Sequence, residues 1–522
     1  MTRHLPPGLT EESFAEAIQA FRRVVGDKWV LTDEETQLPS YYDPFAIFEA
    51  DHFAPSAVVK PSSVDEVRGV VAVANEYKVP LHPISIGKNL GFGGPAPRLP
   101  GAVVVDLKRM NRIIEVDDRL GYAVVEPGVS FIELDNYLRE RNIPFWVDVP
   151  DLGWGSVLGN TLERGIGYTP YGDHYAVHCG MEVVLPDGDL VRTGMGAMPG
   201  SNTAYLYQYG FGPLYDGLFT QSNFGIVTKL GVWLLPKPAG CQAYMITLSK
   251  EEDLGQFIDI LQPLRLNNTI SNVSSLRSLL LDAAAVAPRS HYYTGDGPIP
   301  DSVAEKIKDE LKIGYWNFYG AMYGTEASIR EQWDLIRDAF SAVPSAKFYL
   351  AHEHDSPVLA TRAKIMAAQP NLETAEILKW TDNCGHIDFA PMAPATGEHA
   401  LWQYQTTRDL CREYGKDYMG NIIVGRREMH TIHLVMFDFT NPTDKERTYA
   451  LIKRLIAEST KRGYGAYRGH PSIMDDLAAT YSFNDNALLR LSQRIKDALD
   501  PNGILAPGKQ GIWPARLRGQ QF

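Results

Sequence analysis

The sequence predicts an α+β chain built as two domains, the first of them discontinuous. Three observations carry this. Short strand-like apolar runs alternate with amphipathic stretches from Ser56 onward. The texture breaks at Pro236-Lys-Pro-Ala-Gly240, and the helical stretches beyond it are longer. Tight-turn chemistry returns in DPNGILAPGKQGIW (500–513), as expected of a tail folding back onto the first domain. The boundaries read as 1–236, 237–466 and 467–522. A chain of 522 residues exceeds one ordinary domain.

In chain order, an amphipathic helix is expected around Glu12–Val25. SAVVKP (56–61) reads as a buried strand. Ser63 and Glu66 have capping-box spacing, and Val67, Val70, Val71 and Ala74 follow at helical intervals. The run Val79 to Ile86 leads into a glycine-rich loop, and 101–107 and 122–129 read as strands. Ser130 and Glu133 cap a further helix. Residues 181–193 form a hairpin turning at Asp187-Gly188. After the break, strand-to-helix units lead into helices at 251–265, 328–342, 398–414 and 444–462. Ser249 and Glu252 are read as the capping pair of the first. Helices on one face of an antiparallel sheet are the expected arrangement.

Composition narrows the function classes. The chain is 44% hydrophobic and 22% charged, as a folded globular protein is, and its net charge of −13 disfavours nucleic acid or an anionic membrane as partner. Cys179, Cys241, Cys384 and Cys411 form no CxxC pair, so neither a disulfide framework nor a metal site is expected. No secretory signal or membrane-length apolar run is visible, and a cytoplasmic location is expected.

Two segments carry chemistry. Pro83-Ile-Ser-Ile-Gly-Lys-Asn-Leu-Gly-Phe-Gly-Gly94 runs a strand into a loop whose backbone N–H groups could nest an anion, with Ser85 and Asn89 as added donors. Taken alone it reads more readily as a surface turn. It lacks the GxGxxG fingerprint, which disfavours a nicotinamide site. Asp148-Val-Pro-Asp-Leu-Gly-Trp-Gly-Ser-Val-Leu-Gly-Asn160 adds a second glycine-rich stretch, where Asp151 alone is more readily a turn residue.

Together with GYTPYGDH (167–174), QSNFGIVTK (221–229), GRREMH (425–430), YGAYRGH (464–470) and DPNGILAPGK (500–509), these segments resemble, in order, the vanillyl-alcohol oxidase and p-cresol methylhydroxylase flavoprotein family. Within it the likeness is greatest to vanillyl-alcohol oxidase and bacterial eugenol oxidase. The resemblance implies a p-cresol methylhydroxylase-type FAD-binding domain, a cap domain, and FAD held covalently through His386. It places Ser85, Gly87, Lys88, Asn89, Gly91, Pro150, Gly153, Ser156, Gly159, Asn160, Ile226 and Lys509 at the cofactor. Tyr467 and Arg468 match the pair that binds a phenolic oxygen. Asp151 matches the acid near the reactive flavin nitrogen, and Tyr168 a tyrosine of the same pocket. Phe92, Asp388, Ala390, Asn421 and Ile423 are expected to line the substrate pocket.

The implied reaction is oxidation of a para-substituted phenol, with dioxygen as the electron acceptor. A dehydrogenase feeding a cytochrome or other acceptor is the alternative, and a homodimer or higher homo-oligomer the expected assembly. Two departures stand out. Phe92 replaces a tyrosine that would donate to the phenolate, and Asp388 stands where small residues are commoner. His52 is the nearest candidate for a second histidine that promotes flavin attachment.

Overall fold

The computed structural model describes residues 4–520 and 522. The fold is α+β. Its first part holds a four-stranded sheet in the order Val30–Leu31, Ala57–Val59, Val103–Asp106, Leu81–Ile84, the last three mutually parallel. Ala57, Val58 and Val59 are all fully buried, as a parallel strand covered on both faces requires. Helices Glu11–Val25 and Val64–Tyr77 pack on it through Phe14, Phe21, Val67 and Val71. Ser63 accepts from the Glu66 N–H at 3.2 Å, but the Glu66 carboxylate turns back to Ser62. The full reciprocal box forms at Ser130 and Glu133. A five-stranded antiparallel sheet follows, in the order Ile113–Asp117, Tyr122–Val125, Ile226–Trp233, His178–Val184, Leu190–Arg192, the last two being the expected hairpin.

The second large sheet is antiparallel throughout. It runs Lys347–Leu350, Cys241–Leu248, Trp316–Tyr323, Ser275–Ser278, Gly420–Val424, Glu428–Asp438, Cys384–Phe389, and Met392–Pro394 pairs beside Glu428–Asp438. Side chains alternate between its faces. Tyr244, Ile246, Phe318 and Ile422 lie in one core with helices Asp253–Leu266, Glu326–Phe340 and Gly397–Glu413. Met245, Tyr319 and Ile423, of opposite parity, join the core that holds Val147, Leu158 and Tyr168. These three helices cover one face as expected, and the fourth expected helix, Pro442–Lys461, packs through Leu451, Ile452 and Leu455 on the strands Cys384–Phe389 and Glu428–Asp438. Helix Pro357–Met366 does not join them: its Val358, Leu359 and Ile365 pack in the core of the other face. The Ser249–Glu252 cap is also absent. The helix begins at Asp253 without a side-chain cap, and the Ser249 N–H is taken by Ser345 Oγ at 3.2 Å.

Residues 504–506 return to the four-stranded sheet. Leu81 N–H donates to the Ile504 carbonyl at 2.6 Å, and Ala506 N–H to the Leu81 carbonyl at 2.7 Å. A buried Lys496–Asp500 pair, 2.7 Å apart, fastens this turn, with Lys496 also donating to the carbonyls of Asn223 and Leu505. Among the described residues no helix is long and apolar enough to cross a membrane.

Candidate active site

A cleft of about 1130 Å³, open to solvent, runs between the strand Leu81–Ile84, the short helix Val157–Leu162 and the returning residues 505–509. Ser85, Gly87, Lys88, Asn89, Ser156, Gly159, Asn160, Ile226 and Lys509 line it. Gly159 is required by contact: a Cβ there would run into Ser85 Oγ. Three predicted cofactor residues lie outside the lining. Gly91 packs on His386, Gly153 donates its N–H to the Asn371 carbonyl at 2.9 Å, and Pro150 is buried beside it. Asn160 turns its Oδ1 to His174 Nδ1 at 2.6 Å, and His174 Nε2 stands 3.0 Å from Asp148. Lys509 pairs with Glu163, a cleft residue that carried no sequence signal. Burial opposes ionisation of Glu163, but Lys509 and Arg468 hold its carboxyl below the usual range. Burial, aided by Lys509, drives the His82 imidazole down to about 3, so it is neutral.

Arg468 lines the cleft as well. Its guanidinium donates to Asn89 Oδ1 at 2.6 Å and lies 4.0 Å from the ring centre of Phe92. The residue that removes a hydroxyl donor thus presents an aromatic face to the cation, a favourable contact. Nε of Arg468 is buried with no hydrogen-bond partner among the described residues. Tyr467 sets its ring edge-on to His430 at 5.0 Å, and its N–H reaches the Ala390 carbonyl at 3.4 Å.

Strand Cys384–Phe389 places His386 and Asp388 on one face, both more than nine-tenths buried. Their side chains meet, Nδ1 to Oδ1, at 2.7 Å. Asp388 was expected to line a substrate pocket; its carboxylate is engaged with the histidine. Gly91 backs both with φ +74°, and a Cβ there would sit 2.7 Å from His386 Cε1 and Asp388 Oδ2. On the same sheet Asn421 accepts from Ser275 Oγ at 2.6 Å and faces Arg277 in register. Ile423, 2% exposed, lies opposite His430.

Asp151 accepts from the Tyr168 hydroxyl at 2.6 Å and from the Arg362 guanidinium, which also lies 4.0 Å from the Tyr168 ring centre. Burial works against the Asp151 charge. Arg362, the Tyr168 hydrogen bond and Arg277 outweigh it and hold the carboxyl below the usual range. Burial and then Asp151 push the Tyr168 phenol well above its usual value. Arg277 donates to Asp282 at 2.5 Å, and Tyr319 donates to the other Asp282 oxygen at 2.7 Å. Arg362 was not foreseen. Arg277 and Asp282 left a faint trace, as lone charges in the apolar run LRSLLLDAAA (276–285).

A large cleft walled by backbone turns, glycines that admit no Cβ, and a buried cation with an unused donor fit a dinucleotide cofactor. This fold and site define a flavin-dependent oxidoreductase. Residues 55–194 match the FAD binding domain, and residues 307–510, which run from the second large sheet into the returning tail, match the FAD linked oxidases' C-terminal domain. The chain is 40% identical over 512 residues to the flavoprotein subunit of 4-cresol dehydrogenase (hydroxylating) of Pseudomonas putida, covering 97% of each. It superposes with TM-score 0.97 on 4-ethylphenol oxidase from Gulosibacter chungangensis, solved as an isoeugenol complex, at 42% identity over 98% of this chain and 100% of that one. The substrate-bound p-cresol methylhydroxylase structure gives 0.95 at 39% identity, over 98% and 99%. The chain belongs to the p-cresol methylhydroxylase-type family of FAD-linked oxidoreductases.

Proposed function

We propose that this enzyme oxidises para-substituted phenols at the carbon attached to the ring, with FAD bound covalently through His386 and dioxygen as the electron acceptor. The observation that carries the reading is the meeting of Arg468, Asn89 and Phe92 where the cleft adjoins a smaller pocket, next to Tyr467. Arg468 supplies a fixed cation for a phenolate oxygen and Tyr467 a hydroxyl. Both favour the ionised substrate, whose ordinary pKa is about 10. A phenolate pushes electron density toward the para carbon, which eases loss of hydride there. FAD, when bound, accepts that hydride and later passes two electrons to dioxygen, giving hydrogen peroxide.

Asp151, held ionised by Arg362 and Tyr168, stabilises the electron-poor substrate and takes a proton from the water that adds to the p-quinone methide. Where a side-chain proton leaves instead, the product is an alkene. Ser85, Gly87, Asn89, Ser156, Gly159, Asn160, Ile226 and Lys509 would hold the cofactor in the cleft. Residues 1–236 and 467–522 form the domain that binds it, and 237–466 the cap. Two copies form the working unit.

Ala390 and Asn421 are small, and Phe92 offers an apolar wall. These features support acceptance of rings with one or two methoxy groups beside the phenol. The test is a panel of 4-propylphenol, 4-propylguaiacol and 4-propylsyringol, followed by anaerobic bleaching of the yellow colour and by peroxide formation in air. Bleaching without peroxide would point to a protein electron acceptor. Refusal of both methoxylated rings while the plain phenol reacts would remove the wide-pocket part of the reading.

A further inference from the structure

The expected helper for flavin attachment, His52, packs edge-on against Phe48 and Phe53, with ring centres 4.8 and 4.5 Å away. The ring beside His386 is that of Phe45, at 5.2 Å. What His386 does meet is Asp388, two residues along the same strand, at 2.7 Å. Among the described residues this is the one hydrogen bond that the Asp388 carboxylate makes. The pair is walled in by Gly91, where no larger residue fits, so the two side chains are held against each other.

We propose that Asp388 is the positioning residue for covalent flavin attachment at His386. The proposal rests on the reading of His386 as the attachment residue. A neutral imidazole carries one proton. A carboxylate at Nδ1 selects the tautomer with N–H at Nδ1 and leaves the Nε2 lone pair free.

In the attachment step Nε2 of His386 bonds to the methyl carbon on the flavin ring, and that methyl loses one proton. The imidazole loses its Nδ1 proton, first toward Asp388. The two electrons freed at the methyl carbon enter the flavin, which ends with both protons in its reduced form. Dioxygen then restores the oxidised form and leaves as hydrogen peroxide.

The experiment incubates apoprotein with FAD in air, quenches samples in acid, and follows flavin fluorescence in the protein band of a denaturing gel. Wild type, His386→Ala, Asp388→Asn and Asp388→Ala are compared, with non-covalent FAD affinity and melting temperature measured on each. Wild type should accumulate acid-stable flavin and His386→Ala none. Asp388→Ala should be slowed at least about 100-fold and Asp388→Asn about 10-fold, the scale of a lost charged hydrogen bond. FAD affinity should stay within about twofold, since the Asp388 carboxylate is turned to His386 and does not line the cleft. If both Asp388 variants attach flavin at the wild-type rate while His386→Ala does not, the proposal is overturned and the role of His386 stands. If wild type itself yields no acid-stable flavin, His386 is misassigned and the proposal falls with it.

Discussion

Replacing Arg362 with methionine isolates what keeps the Asp151 carboxylate ionised. The guanidinium is 2% exposed, donates to Asp151, and lies 4.0 Å from the Tyr168 ring centre. Methionine fills much of that space without charge. The lost charged hydrogen bond is worth about 1.5–3 kcal/mol, and the ring contact about 0.5–1 kcal/mol. Asp151 is 32% exposed, so solvent recovers part of this, and a net loss near 2 kcal/mol of folding stability at neutral pH is expected. The folded pKa of Asp151 is depressed. Its contribution is therefore present above the unfolded carboxylate value and is lost as pH falls through the folded one. Variant and wild type should converge in stability toward strongly acid pH.

The kinetics follow the same sign. Asp151 stays ionised across the mildly acid range in the wild type, so the rate of anaerobic flavin reduction should be flat there. Without Arg362 burial meets less opposition, the pKa rises, and an acid limb should move toward neutrality. Stopped-flow bleaching by a 4-alkylphenol from about pH 5 to about pH 9, the range around unperturbed carboxylate and histidine values, reads this directly. A variant with the wild-type profile and unchanged melting would refute the account of Asp151.

Three further outcomes are expected. Phe92→Tyr should tighten binding of a plain 4-alkylphenol by up to about 1.5–3 kcal/mol; weaker binding would mean that the Arg468 stack shuts the new hydroxyl away from the phenolate. Lys509→Met should cost about 1–3 kcal/mol at neutral pH by stripping Glu163 of its partly buried partner. Because the folded pKa of Glu163 is depressed, that difference should shrink as pH falls below the carboxylate range, and a pH-independent difference in melting would contradict the assignment. Gly91→Ala, at φ +74° and with its Cβ 2.7 Å from His386, should destabilise by about 1–2 kcal/mol and displace the histidine; wild-type stability together with wild-type flavin content would count against the tight packing.

Much of this architecture was legible because it is written locally. The Ser130 cap, the 181–193 hairpin and the strand carrying His386 follow from short-range chemistry and two-residue alternation. The motif order marked the cleft residues. What escaped is what tertiary packing assembles. Ser249 and Glu252 have the spacing of a cap, yet Ser345, 96 residues away in sequence, takes the Ser249 N–H. Arg362 lies 211 residues from Asp151 on a helix whose local pattern announces no partner. Asp388 was noticed as unusual, but only the strand geometry shows its carboxylate turned to His386.

The turn held by Lys496 and Asp500 has a consequence for how the protein is made. Asn223 donates to the carbonyls of Ala506 and Ile512, and Leu505, Ala506 and Lys509 form one wall of the cleft. Translation delivers that wall long after the strand Leu81–Ile84 that faces it. A nascent chain that has emitted every strand still has a groove rather than a cleft, and its Leu81 has no backbone partners at 504 and 506. A cleft with both walls therefore exists only once residues 505–509 have been made and have docked beside Leu81.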